Sequence, residues 1–535
     1  MDEWVEESLF AIERDAMHEF LQRHEKDVIG MLSGFDRVRL RGTLRFVATT
    51  RGMEAYLWRA KVLLKDFVEY AKGVTEQIRG ASRALAEAAG RPLVYVASSA
   101  LRKEQKARQI MAADGVTAGL ICILSCVEPC WSYTVRRNRE KQQLELHGDY
   151  YKCLHHYFYF ADPVHGFMHL RLQTWFPFTV HVCINGREWL AQQLRAAGIG
   201  YVQRANCIVD VADVGRAQAL LTEQVHQPWT PWLNALLARV HPCHAEIFRA
   251  VPVAYYWSTE ESEWASDVLF RSRDRLARLY PTLLTHGLHN FGSREVLRFL
   301  GQKVALHPNP NFKGEVSSRF RARPEGVCLK HWLKRNSIKM YDKQGTVLRV
   351  ETTINDARDL REYRTAERGP RSKKYWRPLR KGVSAVRRRA ALSQAANERY
   401  LSALSAVDTP IRLADLSAKH AQPQRWRGKR VRALNLLGAT DAALLHAVSR
   451  GEFTIKGLRN RDLRALLHSP AASAPERRRQ AARVTRQLRL LRAHGLIRKI
   501  PKTHRYLLTT HGRQLSCAIL AARRANTAEL TKLAA

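Results

Sequence analysis

The chain has 535 residues, an ordinary apolar content of 45%, and a formal charge of +40 from 89 Lys and Arg against 49 Asp and Glu. That length accommodates about three or four domains, and the apolar fraction excludes wholesale disorder. A surface this positive repels itself unless an anion neutralises it, which points to nucleic acid ahead of a membrane or an acidic protein.

The most apolar run, "VTAGLICILSCVEP", offers about 12 residues before Glu128 and Pro129, short of the roughly 20 that span a bilayer. The N-terminal "MDEWVEESLF" is acidic and lacks a signal-peptide pattern. Nine cysteines form an odd set without secretory context, so reduced thiols and a cytoplasmic location are expected.

In chain order, residues 1–30 predict one amphipathic helix, with Trp4, Leu9, Ile12, Met17 and Leu21 near helical spacing. "FDRVRLRGTLRFV" (Phe35–Val47) alternates apolar and polar residues, as a half-buried strand or hairpin does. A long helical region follows to about Gly90. "LVYVAS" and "GLICILSCV" predict buried strands around the helix "LRKEQKARQIM". Successive antiparallel strands are expected in "CLHHYFYFAD", "FMHLRLQTWFPF" and "TVHVCING", then the helix "GREWLAQQLRAAGIGY" and the strand "NCIVDVAD". Residues 226–312 read as mostly helical, with a strand at "VAYYW". Four strands crowd into the next segment: "VSSRFRAR", "VCLKHWL", "SIKMYDK" and "VLRVETTI".

The charge is uneven: from Ala357 onward there are 41 Lys and Arg against 11 Asp and Glu. The expected fold class is therefore an α+β multidomain chain. It comprises a mixed α/β body (1–225), a mostly helical domain (226–312) and a small antiparallel β segment (313–356). A basic linker or arm (357–438) and a C-terminal winged helix-turn-helix (439–535) complete it.

From Ala439 the order is helix "TDAALLHAVSR", helix "LRNRDLRALL", helix "ERRRQAARVTRQLRLLRAHGLI", then "LIRKIPKTHRYLLTTHG" as two strands about a turn. This pattern resembles the winged helix of MarR-like regulators, over residues 439–515. The resemblance implies a helix in the major groove and a wing on the backbone. Arg478, Arg479, Arg483, Arg486 and Arg489 become expected phosphate contacts of the third helix, with Lys499, Lys502 and Arg505 on the wing. In "KKYWRPLRK" and "QRWRGKRVR", Lys373, Lys374, Trp376 and Trp426 interleave aromatic and basic groups. That suits base stacking, and equally suits a tryptophan anchoring a linker.

"SIKMYDKQGTVLRVETTI" predicts a hairpin turning at Asp342–Gly345, with Lys339, Tyr341, Arg349 and Glu351 sharing a polar face. Such a group suits phosphoryl transfer, with tyrosine as nucleophile, glutamate as ligand of a divalent metal, and cations stabilising the phosphate. Residues 314–356 also resemble the Y-x-K … R-x-E hairpin of rolling-circle replication initiators. The resemblance implies Tyr341 as nucleophile and Glu351 as ligand of Mg²⁺ or Mn²⁺, with Lys343 and Arg349 in support. The His-hydrophobic-His pair of many such nickases is missing here, and His331 is the nearest substitute. The bland alternative is a basic β-sheet whose Tyr and Glu pair structurally.

Asp36 and Glu128 form the second choice, as carboxylates of an RNase H-like site, although two-metal catalysis needs three or four carboxylates to converge. Cys122, Cys126 and Cys130 fit no zinc or iron–sulfur spacing, His241, Cys243 and His244 lack a second half-site, and His155 and His156 point to opposite faces of a strand. No Walker A or G-x-G-x-x-G run is present. The expected function is nucleic-acid binding by a protein of a mobile element or plasmid, with DNA ahead of RNA and with metal-dependent nicking or strand transfer. The competing class is a non-enzymatic DNA-binding regulator or a structured-RNA-binding protein. A homodimer is compatible with either.

Overall fold

The computed structural model describes residues 19–98, 100–302, 315–323, 326–365, 374–405, 413–450, 453, 457–501 and 503–526. Most of the helix expected over 1–30 lies outside them; residues 19–23 are helical. Two compact units form, each from non-adjacent segments. A sheet-centred unit takes Ile29–Leu269 and Glu351–Gln394. A C-terminal unit takes the segment up to Val28, Phe270–Val350 and the chain from Ala395 onward. This division replaces the five consecutive segments expected from sequence, because pairing between distant segments leaves no local signature.

The sheet-centred unit opens with β1 (Val28–Thr43), α1 (Thr50–Arg59) and α2 (Phe67–Ala88). The Thr49 hydroxyl caps α1 by accepting from the Gly52 amide. Helix α2 buries Phe67, Ala71, Val74 and Ile78 at three- and four-residue spacing. Next come β2 (Leu93–Tyr95), α3 (Lys103–Ala113), β3 (Gly119–Asn138), β4 (Gln143–Asp162), β5 (Gly166–Gln173) and β6 (Val180–Asn185). Then follow α4 (Gly186–Ala196), capped by the Asn185 side chain, β7 (Tyr201–Gln203), β8 (Ile208–Val211), α5 (Val214–Gln224), α6 (Trp229–Val240) and β9 (Tyr256–Phe270).

The strands of this unit are ordered β9-β1-β6-β5-β4-β3-β2. Strand β2 runs parallel to β3; the β3–β4, β4–β5, β5–β6 and β6–β1 pairs are antiparallel. Val38, Leu40, Val182, Ile184, Leu170 and Phe158 share a core with α1, α2 and α6. On the opposite face Cys122, Leu124, Cys126, Tyr157 and Tyr159 pack under Ala107 of α3.

Three strands are longer than the sequence suggests. Strands β3 and β4 continue through "PCWSYTVRRN" and "QLELHGDYYK", whose charges masked the alternation, yet Tyr133 and Leu146 are buried there. Strand β9 extends well beyond "VAYYW"; Glu260, Glu261 and Glu263 concealed it.

The C-terminal unit contains α7 (Arg273–Asn290), α8 (Ser293–Phe299) and the strands β10 (Val316–Arg323), β11 (Gly326–Leu333), β12 (Asn336–Lys343) and β13 (Val347–Ile354), hydrogen-bonded in that order. All four strands lie where alternation put them, with Leu329, Leu333, Ile338, Met340, Leu348 and Val350 buried. The chain enters the sheet-centred unit at Glu351, where β14 (Arg361–Thr365) and β15 (Lys374–Pro378) pair.

Helix α9 (Val386–Leu404) corrects the linker reading of 357–438. Its buried positions are Arg389, Ala390, Ser393, Ala396, Asn397, Tyr400 and Leu401. The spacing is helical, but small and polar residues hide the stripe from a hydropathy reading. Beyond β16 (Gln424–Trp426) and β17 (Lys429–Val431) come α10 (Ala439–Ser449), α11 (Asn460–Leu467), α12 (Ala474–Ala493), β18 (Ile497–Lys499), β19 (Tyr506–Leu508) and α13 (Thr510–Arg524). One core built from Leu444, Leu445, Leu463, Val484, Leu488, Leu491 and Leu515 holds these helices together.

Candidate nucleic-acid interface

The β12–β13 hairpin turns through Gln344 (φ 57°) and Gly345 (φ 72°), a left-handed pair suited to a tight turn. Cations gather around Tyr341. Lys339 Nζ lies 5.2 Å, Lys343 Nζ 5.9 Å and Arg349 Cζ 6.0 Å from the ring centre. Tyr341 is half-buried, whereas Arg349 and Glu351 are 0% exposed and Lys343 only 7%. Glu351 therefore has no solvent-facing surface on which to present a hydrated divalent ion to a phosphodiester.

His331 stands apart from this group. In register Tyr341 faces Cys328, and His331 is three residues further along β11, or roughly 10 Å at strand rise. Its Nδ1 lies 2.7 Å from the Ser318 hydroxyl and its Nε2 lies 3.4 Å from the Tyr400 hydroxyl. Burial holds its pKa down at about 4, so the ring is neutral at pH 7.

Asp36 and Glu128 are not brought together. They lie on β1 and β3, with β6, β5 and β4 between them. Four steps of about 4.8 Å put them at least roughly 19 Å apart across the sheet alone, against the ~4 Å of a two-metal pair. Asp36 is buried; the Asn206 amide donates to both its oxygens at 3.0 Å. Glu128 accepts from Lys103 at 2.7 Å and from Tyr157 at 2.6 Å, with Arg171 at 3.4 Å. Burial opposes its charge, but the Lys103 and Tyr157 hydrogen bonds outweigh it and hold its pKa below the usual range.

Helix α12 carries a dense exposed charge. Its Ser473 cap accepts from the Glu476 amide. From Arg477 to Ala493 it has seven arginines and no carboxylate. Arg478, Arg479, Arg483, Arg486 and Arg489 are all exposed, while Val484, Leu488 and Leu491 face the core. On the β18–β19 ribbon Lys499 is exposed, as is Arg498, which the sequence reading passed over. Arg505 is half-buried; burial, then Arg459 and Arg461, lower its pKa. Lys502 lies outside the described residues.

The ribbon has a third member. Leu458, between α10 and α11, exchanges both backbone hydrogen bonds with Tyr506, at 2.8 and 2.9 Å. Asn460 at the start of α11 donates to the Ala481 carbonyl and the Thr485 hydroxyl of α12, at 2.9 and 3.0 Å. These contacts fix α11, α12 and the ribbon as one block.

Of the basic tracts, Lys373 lies outside the described residues and Lys374 begins β15. Trp376 is exposed and packs its ring 5.6 Å from that of Tyr363. Trp426 is half-buried, with the guanidiniums of Arg427 and Arg492 each 4.9 Å from its ring and Arg489 at 5.9 Å. It is therefore engaged with α12.

The sequence reading missed a second cationic surface, beyond α3 on the polar face of the main sheet. Arg41, His181, Arg171 and Tyr157 form one cross-strand row, and Arg39, Cys183, His169 and Tyr159 the next. Glu260 lies 3.3 Å from His181 and 4.0 Å from Arg41. Burial opposes its charge, but His181, Arg39 and Arg41 draw its pKa down to about 2. His169 is held at about 3 by burial and by Arg39, Arg37 and Arg171. The available signal was a basic residue at every second position in "DRVRLRG" and "HLRL".

Among the described residues no group of three or more His, Cys, Asp or Glu is placed to hold a metal ion, and no helix is long and apolar enough to cross a membrane. Cys122, Cys126 and Cys130 are buried with free thiols. No family model, curated protein or solved structure matches the chain.

Proposed function

We propose that the protein binds nucleic acid, duplex DNA foremost, through α12 and the β18–β19 ribbon. The carrying observation is that five arginines of one helix face solvent in a stretch that carries no carboxylate after Glu476, beside a ribbon that adds Arg498 and Lys499. The order α10, Leu458 bridge, α11, α12, β18, β19 supports reading this block as a winged helix-turn-helix, in which α12 would be the groove-facing helix and the ribbon the wing. Arginine suits this role because its planar fork meets phosphate oxygens and guanine edges bidentately.

Fluorescence anisotropy with labelled duplex DNA and an RNA hairpin tests the reading. Reversing Arg478, Arg479 and Arg483 to Glu is expected to weaken duplex binding by about 100-fold or more, as three phosphate contacts become repulsive. A change under about threefold removes α12 from the interface. Tighter binding to the RNA hairpin makes RNA the partner instead.

Strand cleavage at Tyr341 is the second reading. The three cations around its ring favour it, and the burial of Glu351 weighs against it. Incubating supercoiled plasmid with Mg²⁺, Mn²⁺ or EDTA, with and without protease before electrophoresis, decides this. Only a metal-dependent nick with attached protein that is lost in Tyr341→Phe supports it.

A further inference from the structure

The C-terminal unit holds a cavity of about 730 Å³ bounded by α7, α8, the end of α9, α10 and α13. That volume is typical of small-ligand sites and too small for a duplex. Arg294, Arg298, Arg399, Arg450, Arg513 and Arg524 line it, against one lining carboxylate among the described residues, Glu295. His286, His289 and His446 also line it.

Two of these guanidiniums are held in place. Arg399 donates to the Phe299 carbonyl at 2.8 and 3.2 Å, and Arg513 donates to the carbonyl and hydroxyl of Ser402 at 3.0 and 3.1 Å. Fixed donors lose little freedom when an anion arrives. Part of the wall is apolar: Phe291 and Phe299 meet edge to face with centroids 5.0 Å apart. Burial pushes the Glu295 carboxyl up in pKa, against the pull of Arg298 and Arg294.

Guanidinium groups suit a multiply charged anion such as a polyphosphate, and six of them line one cavity. An apolar wall beside such a cluster accommodates a base next to its phosphates. We infer that this cavity binds a phosphorylated ligand of nucleotide size, either a free nucleoside triphosphate or the 5′-phosphorylated end of a nucleic-acid strand. The site is separate from the proposed duplex interface, since none of the exposed α12 arginines lines it.

Calorimetric titration of the full chain in about 200 mM salt, where weak surface contacts are screened, tests the inference. The probes are ATP, inorganic tripolyphosphate, and a dinucleotide with or without its 5′-phosphate. Saturable one-to-one binding is expected for ATP or for the 5′-phosphorylated dinucleotide, and which one binds identifies the source. Arg450→Ala and Arg524→Ala are each expected to weaken it by about tenfold or more, the scale of a lost charged hydrogen bond. Arg450→Lys should retain part of it.

Arg524 is exposed on the last turn of α13, so its truncation leaves the fold intact. The pair Arg483→Gln/Arg486→Gln should leave ATP binding unchanged while weakening duplex binding, which separates failure of this site from failure of the duplex interface. Absence of saturable binding, or multiple sites indifferent to both alanine variants, overturns the inference. Tripolyphosphate binding as tightly as ATP, with no discrimination of the 5′-phosphate, overturns its nucleotide assignment.

Discussion

Replacing Arg483 and Arg486 with glutamine isolates the electrostatic role of α12. Both side chains are exposed, so the change should alter stability by no more than about 0.5 kcal/mol. Each phosphate contact contributes about 0.9 to the slope of log K against log salt on duplex DNA. Losing two should flatten the slope by about 1.8. Between roughly 50 and 200 mM salt, the native protein should then lose about 12-fold more affinity than the variant. Anisotropy titrations at four salt concentrations give the slopes directly. The flattening should be the same on a scrambled duplex, because phosphate contacts carry no sequence information. Parallel salt lines for native and variant protein, even with a lower affinity, would refute the reasoning, since arginines that never displace counterions cannot be phosphate contacts.

Gly457→Ala probes the ribbon: its φ is +63° and a Cβ there would sit 2.6 Å from the Tyr506 carbonyl oxygen. A loss of about 1–3 kcal/mol is expected from the strain, read by thermal melting, and a loss under ~0.5 kcal/mol contradicts the Leu458–Tyr506 pairing. Arg187 is fully buried, 2.8 Å from Asp267 and 4.0 Å from Asp36. Arg187→Met removes the guanidinium beside two buried carboxylates and should cost about 3–5 kcal/mol in urea unfolding, with part regained by adding Asp267→Asn; a neutral single change sinks that account. Acid should destabilise the chain early. Burial holds His155 and His241 at about 3 and His156 and His331 at about 4, below the ordinary 6.5. The unfolded chain takes up these protons first, so stability is full above about pH 6.5 and falls as pH drops toward 4, by up to ~1.4 kcal/mol per pH unit for each histidine. A urea midpoint constant from pH 7.5 to 5 refutes this.

Much of the C-terminal unit was legible in the sequence because its elements are local. The helices of "TDAALLHAVSR" and "LRNRDLRALL", the arginine helix and the strands from Val316 to Ile354 all declare themselves by period. Helix α9 did not, since Ala, Ser and Asn fill its buried stripe. The ends of β3 and β4, and all but the start of β9, were hidden by charges that neighbouring strands partly neutralise. The Leu458 bridge is a single residue, too short for any periodic signal.

The sequence by itself determined the charge and its concentration after Ala357, the alternation that gathers Lys339, Tyr341 and Arg349, and the face of α12 that stays in solvent. Each depends on composition or on spacing within one element. Tertiary structure decided the rest: Asp36 and Glu128 lie four strands apart, Glu351 is buried, and arginines from Arg294 to Arg524 meet around one cavity. Convergence of side chains depends on strand order and helix docking, and those follow from long-range burial that no stretch of local sequence encodes.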